Sequence, residues 1–186
     1  MTPFGILTAR AAVLDRANVD TDQIIPARFL RKPRSAGYGN FLFHDEPEVR
    51  AGVQGVAILL AGANFGCGSS REGAVYALVD AGIRCVIAPG FGDIFAGNAG
   101  KNGLLTLALA DEAIAPLRAG AAELTVDLPA QTVSAAGVSM QFDIDPFRKR
   151  CLIEGLDDIG LTLVHAAAIE AWQQTDRVAR PWAAPG

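Results

Sequence analysis

The stretch between residues 56 and 109 constrains this chain more than any other, because short apolar runs there alternate with segments of helical spacing. Residues 56–61 are continuously apolar and bounded by Gly62, which predicts a short strand buried on both faces. A glycine-rich segment follows. Ala74, Ala77, Leu78 and Ala81 then fall at i, i+3, i+4, i+7, the spacing of one helix face, and Gly82 supplies a stop. Residues 84–88 predict a second buried strand, 94–98 a short helix and 104–109 a third strand. Strand, helix, strand, helix, strand with short connections folds as parallel βαβ units.

The flanks read differently. Residues 4–14 predict one strand ending in a polar turn at 15–18. Pro33, Gly37 and Gly39 forbid a long regular element within 28–43, which is expected to be a mobile loop preceded by one short helical turn. Residues 46–54 form a polar connector. Beyond the βαβ stretch, 111–119 predicts a helix kinked or interrupted at Pro116. Residues 123–128 alternate polar and apolar, as a half-exposed strand does, and 131–134 with 138–144 predict an antiparallel ribbon turning at 135–137. Pro146 opens a helix running to Gly155, a last helix covers 161–174, and a loose tail follows Arg180. No repeat or long linker divides the chain. The expected fold class is α/β, one domain over residues 1–186, with a βαβ core and added antiparallel strands.

Composition narrows the function. Of 186 residues, 51% are hydrophobic and the formal net charge is −4, which argues against a nucleic-acid binder and against disorder. No apolar run approaches the roughly 18 residues of a membrane helix, and residues 1–5 lack the basic start and apolar stretch of a secretory signal. A cytoplasmic protein is expected. Cys67, Cys85 and Cys151 are odd in number and widely separated, and the only histidines are His44 and His165. That pattern suits neither a disulfide framework nor a metal site built by this chain alone.

The segment richest in chemistry is Gly66-Cys-Gly-Ser-Ser-Arg-Glu72, between a predicted strand and a helix start. Its glycines permit a tight turn and a close approach to a ligand. A helix N-terminus offers unpaired N–H groups and a partial positive charge. Ser69 and Ser70 add hydroxyls, and Arg71 adds a planar fork suited to a carboxylate. The same residues also read as a plain capping box, Ser69-x-x-Glu72, that needs no ligand. The Walker spacing and its lysine are absent, and Arg71 stands where a dinucleotide fingerprint needs Gly or Ala. Local chemistry leaves both readings open.

Five strings carry a resemblance. Asn64-Phe-Gly-Cys-Gly-Ser-Ser-Arg-Glu72 resembles the active-site loop of the swivelling domain in the aconitase superfamily. Asn18-Val-Asp-Thr-Asp-Gln-Ile-Ile-Pro26, Cys85-Val-Ile-Ala-Pro89, Phe91-x-Asp-Ile-Phe-x-Gly-Asn98 and Gly155-Leu-Asp-Asp-Ile-Gly-Leu-Thr162 are similar to the small-subunit family of the 3-isopropylmalate dehydratases. The match runs in order along nearly the whole chain. It implies a swivelling β/β/α fold and a heteromeric hydro-lyase that isomerises 2-isopropylmalate in leucine biosynthesis. It also implies a large-subunit partner holding a [4Fe-4S] cluster, with no metal bound by this chain. Related implied activities are those of paralogous hydratases acting on citraconate/2-methylmalate, homoaconitate or dimethylmaleate. Outside that class stands a non-catalytic diacid-binding module.

Matched by position, the resemblance makes Ser69 the catalytic base and Arg71 the clamp for a substrate carboxylate, with Ser70 assisting. Asp22 becomes an acidic residue lining the cleft, although an aspartate there also reads as a turn or cap. Arg28, Arg31 and Lys32 lie where relatives discriminate the substrate's variable side group, and a solvated charge run is the plain alternative. Cys67 is expected to be structural, a small buried thiol, and His44 and His165 to be surface or packing residues. Two positions depart from the family pattern, which usually has His at position 73 and often at 150; here they are Gly73 and Arg150. The reaction type is expected to survive both changes; the substrate's identity is what they put in question.

Overall fold

A computed structural model describes residues 1–119, 123–135 and 137–183. In chain order the elements are β1 (Ile6–Ala9), β2 (Ala11–Leu14), α1 (Thr21–Ile24), α2 (Pro47–Gly52), β3 (Ile58–Ala61), α3 (Glu72–Asp80), β4 (Cys85–Ala88) and α4 (Asp93–Lys101). They continue with β5 (Leu105–Ala108), α5 (Asp111–Ala119), β6 (Leu124–Asp127), β7 (Thr132–Ala135), β8 (Val138–Gln141), α6 (Pro146–Glu154), α7 (Asp158–Leu163) and α8 (Ala166–Ala179). One sheet is parallel in the order β2-β3-β4-β5; the other is antiparallel in the order β1-β6-β7-β8.

Strand periodicity explains how three layers form. Successive side chains of a strand point to opposite faces. Ile58 and Leu60 of β3, Cys85 and Ile87 of β4, and Leu105 and Leu107 of β5 join one buried cluster with Leu124 and Val126 of β6 and Val133 of β7. Leu59, Ala61, Val86 and Ala88 face the other way, into a cluster with Ala74, Ala77 and Leu78 of α3 and Phe95 and Ala99 of α4. The parallel sheet is thus covered by the antiparallel sheet on one face and by helices on the other, the β/β/α order that the resemblance implied. β6 buries alternate residues only, as its patterning predicted, and β7 does the same.

Three expectations need correction and one narrows. Residues 4–14 are not one strand: β1 pairs with β6 and β2 with β3, so the chain changes sheets at Arg10. The polar connector contains α2, started by Pro47 at a position where its missing N–H costs nothing. At Pro116 the helix is not interrupted: α5 continues through it to Ala119, with Ile114 and Leu117 buried. The predicted final helix is two, because Asp157 caps α7 by accepting from the Gly160 N–H at 2.7 Å and α8 starts afresh after His165. Of the tail expected beyond Arg180, Pro181–Ala183 form a 3₁₀ turn and residues 184–186 lie outside those described. Ala136, in the predicted ribbon turn, lies outside them too.

The 28–43 segment follows α1, the short helical turn expected there, and forms three 3₁₀ turns, Ala27–Arg31, Arg34–Ala36 and Tyr38–Phe41. Phe29 and Phe41 stack with centroids 4.3 Å apart. Tyr38 is buried and donates its hydroxyl to the Lys32 carbonyl, and Arg34 pairs with Asp80 at the end of α3. Packing, rather than repetitive hydrogen bonding, gives this segment its shape.

Candidate active site

Three loops leave the carboxyl ends of neighbouring parallel strands and meet. The loop after β3 is central: Gly66 N–H donates to the Val19 carbonyl at 2.8 Å, and Phe65 N–H donates to the Gly90 carbonyl at 3.0 Å. Parallel bridges pair Asp20 with Cys67 and Phe65 with Phe91, so the strand order β2-β3-β4 persists into the loops. Asn18 and Asn64, both left-handed, link through their side-chain amides at 2.8 Å. Gly66 is required twice over. Its φ is +74°, and a Cβ there would lie 2.2 Å from the Phe95 ring.

The loops enclose a cleft of about 440 Å³ lined by Ser69, Arg71, Cys67, Thr21, Phe91 and Asp93, among others. Ser69 is exposed at its rim. Its carbonyl accepts from the buried Thr21 hydroxyl at 3.0 Å, and Thr21 N–H donates to the Cys67 carbonyl at 3.0 Å. The Ser69-x-x-Glu72 capping box does not form. The N-cap of α3 is Arg71, no side chain caps it, and Glu72 instead accepts from Asn102 Nδ2 at 2.7 Å. The left-handed turns at Gly66 and Gly68 hold Ser69 towards α1, away from the cap position. The start of α3 therefore keeps uncapped N–H groups beside a serine and an arginine. A capping box does form at α1, where Asp20 and Gln23 exchange hydrogen bonds of 2.8 and 2.9 Å.

Of the residues singled out from sequence, Ser69 and Arg71 line the cleft; Asp22 does not, but stands behind it in an ion pair with the largely buried Arg71 guanidinium. Asp22 also accepts from Ala27 N–H at 3.2 Å, which ties it to the segment that follows. Ser70 is exposed beside the cleft rather than on its wall. Arg28, Arg31 and Lys32 do not line it. Arg28 grips Asp45, and Lys32 lies 5.0 Å above the Phe41 ring. Held by Arg28 and, secondarily, by His44, the Asp45 carboxyl sits low, at about 2. His44 and His165 are both exposed. Cys67 is half-buried on the cleft wall, not fully buried as expected, because the glycines on either side leave its flank open.

The two departures resolve differently. A Cβ at Gly73 would meet Leu30 Cδ2 at 2.5 Å, so Leu30 occupies the space that a side chain at 73 would fill. Arg150 pairs with Glu154 on exposed α6 and takes no part in the cleft. Sequence reasoning missed Thr21, Phe91 and Asp93 as cleft residues. Their signal was the adjacency of the two strings around them to strands that the βαβ pattern already placed side by side.

The donor set does not suit a metal cluster in this chain. Among the described residues no three His, Cys, Asp or Glu side chains converge. Cys85 and Cys151 are buried in the core, leaving Cys67 alone at the cleft, and burial pushes the Cys85 thiol far up. No described helix is long and apolar enough to cross a membrane.

Comparison with known proteins bears on the same residues. Residues 49–112 match the Aconitase C-terminal domain, 117–146 match LeuD_N, and 158–186 match the C-terminal domain of the 3-isopropylmalate dehydratase small subunit. The 3-isopropylmalate dehydratase small subunit of Roseobacter denitrificans is 47% identical, covering 98% of this chain and 100% of that protein. That of Rhodospirillum centenum is 45% identical over 98% of this chain and 99% of its own length. The crystal structure of 3-isopropylmalate dehydratase (leuD) from Methanocaldococcus jannaschii superposes with a TM-score of 0.72 at 27% identity, covering 90% of this chain and 99% of that one. Identity of this order from end to end means that the chain belongs to the 3-isopropylmalate dehydratase small-subunit family.

Proposed function

We propose that this chain works as one swivelling domain over residues 1–186, closing on a cytoplasmic large subunit to isomerise 2-isopropylmalate to 3-isopropylmalate in leucine biosynthesis. Membership of a small-subunit family implies a large-subunit partner. The [4Fe-4S] cluster that the resemblance implies is assigned in this reading to that partner; among the described residues of this chain no three potential ligands converge.

In this reading Ser69 removes the proton α to a substrate carboxylate during dehydration and returns one during rehydration. A serine hydroxyl is a poor base in water. The uncapped N–H groups of α3 and the Arg71 guanidinium stabilise an alkoxide there once a closed partner excludes water. Arg71 binds the substrate carboxylate through its planar fork, and Asp22 holds that fork in place through its ion pair. Ser70 hydrogen-bonds from the rim. Arg28, Arg31 and Lys32 lie on the segment whose Leu30 packs on Gly73, one residue beyond Glu72, and through it bear on the substrate's variable side group. The observation that carries the reading is a serine and a largely buried arginine on one cleft at a helix start that nothing else caps.

Anaerobic reconstitution with the cognate large subunit tests it, with isopropylmaleate and citraconate assayed side by side. Ser69→Ala is expected to lower kcat on isopropylmaleate by about 10²–10⁴-fold, the usual contribution of a general base. Preference for citraconate would keep the chemistry and move the protein to a related diacid. Turnover of neither, with an intact cluster, would reduce it to a diacid-binding module.

A further inference from the structure

A second cavity, of about 450 Å³, lies apart from the cleft, and cations outnumber carboxylates on its walls. Arg34 of the second 3₁₀ turn, Arg84 before β4 and Lys101 at the end of α4 converge on it, with Asn102 beside them; Asp157 is the one carboxylate on its wall. In a chain with a net charge of −4 this local excess runs against the average. The partners of two of these cations lie outside the cavity: Arg34 pairs with Asp80 and Lys101 with Asp158, both at 3.0 Å. Arg84 has no carboxylate partner among the described residues. Its guanidinium donates to the Thr2 and Pro3 carbonyls, each at 3.1 Å, and its charge is left uncompensated. Asp157 accepts from the Gly160 N–H at 2.7 Å and pairs with the Met1 ammonium, also on the cavity wall, at 3.6 Å.

We propose that this cavity binds a small oxyanion, with Arg84 as the principal anchor and Lys101, Arg34 and the Asn102 amide completing the shell. The volume is that of ordinary small-molecule sites, roughly 300–1,000 Å³. Arginine beside lysine and an amide donor is the chemistry that recognises carboxylate or phosphate. None of these side chains lines the catalytic cleft. The cavity reaches α3 at Val79, near its far end, and Asn102 also holds Glu72 at its start.

The test uses the full chain, with inorganic phosphate and malonate titrated separately at constant ionic strength and followed by backbone amide resonances. Saturable shifts at Arg84 and Lys101 to Gly103 are expected with at least one of the two, and the tighter anion identifies the source of the charge. Arg84→Met should weaken binding at least tenfold and Lys101→Met severalfold, while Arg71→Ala leaves it unchanged. Having two variants guards against misfolding of either. The proposal is overturned by shifts that grow linearly without saturation, by shifts confined to residues 66–71, or by undiminished binding in both methionine variants.

Discussion

At the scale of single residues, the site depends on a few atoms with no freedom to move. Gly66→Ala would drive a Cβ into the Phe95 ring at a left-handed φ, so it should lower Tm and reduce activity together, read by thermal melting and by turnover in the reconstituted enzyme. Asp22→Asn should act differently. It leaves the fold intact but loosens Arg71, so KM should rise several-fold with little change in Tm. Asp45 offers a check on the adjoining segment. Its carboxyl is held below the ordinary value of about 4 by Arg28, so the ion pair's contribution is complete above pH ~4 and fades as pH falls towards 2. A carboxyl NMR titration should find a midpoint near 2 in the native chain, and one near ~4 in Arg28→Ala.

At the scale of elements, the sequence was legible where burial is symmetrical and illegible where one residue decides. The run 56–109 resolved into β3, α3, β4, α4 and β5 because both faces of the parallel strands are covered and each helix shows one apolar stripe. The change of sheet at Arg10 left no comparable trace, since the residues on either side share the same small apolar character. Ser69-x-x-Glu72 misled for a related reason. The pattern fits a cap, but whether Ser69 reaches the cap position depends on glycine dihedrals and on a hydroxyl 48 residues away, at Thr21. Thr21→Val keeps the shape and removes that hydroxyl. With Ser69 exposed, losing that bond should cost about 0.5–1.5 kcal/mol in a denaturant melt, and turnover should fall with it. Proximity was more readable than capping: Ser69, Arg71 and Asp22 do come together, whereas Arg28, Arg31 and Lys32 stand off the wall.

At the scale of the whole molecule, two cores share one sheet, and this sets which thiols are reachable. Cys85 faces the inter-sheet core and Cys151 is buried in α6, while Cys67 stands on the cleft wall. A native thiol assay should therefore count one fast cysteine, and unfolding should release the other two. Cleavage and mass analysis would identify the fast one, and labelling of Cys85 in the native state would contradict the layering. Leu60→Ala, in the middle of the inter-sheet core, should cost about 2–5 kcal/mol and weaken both sheets together.

All three cleft loops issue from one edge of the parallel sheet, while both cores lie behind that edge. Scaffold and chemistry are consequently separable under mutation. Gly73 and Leu30, which share one volume behind the cleft, lie off the strands, so an exchange of bulk between them leaves the pairing of β2, β3 and β4 untouched. Loop sequence can therefore drift while the framework that carries it stays folded.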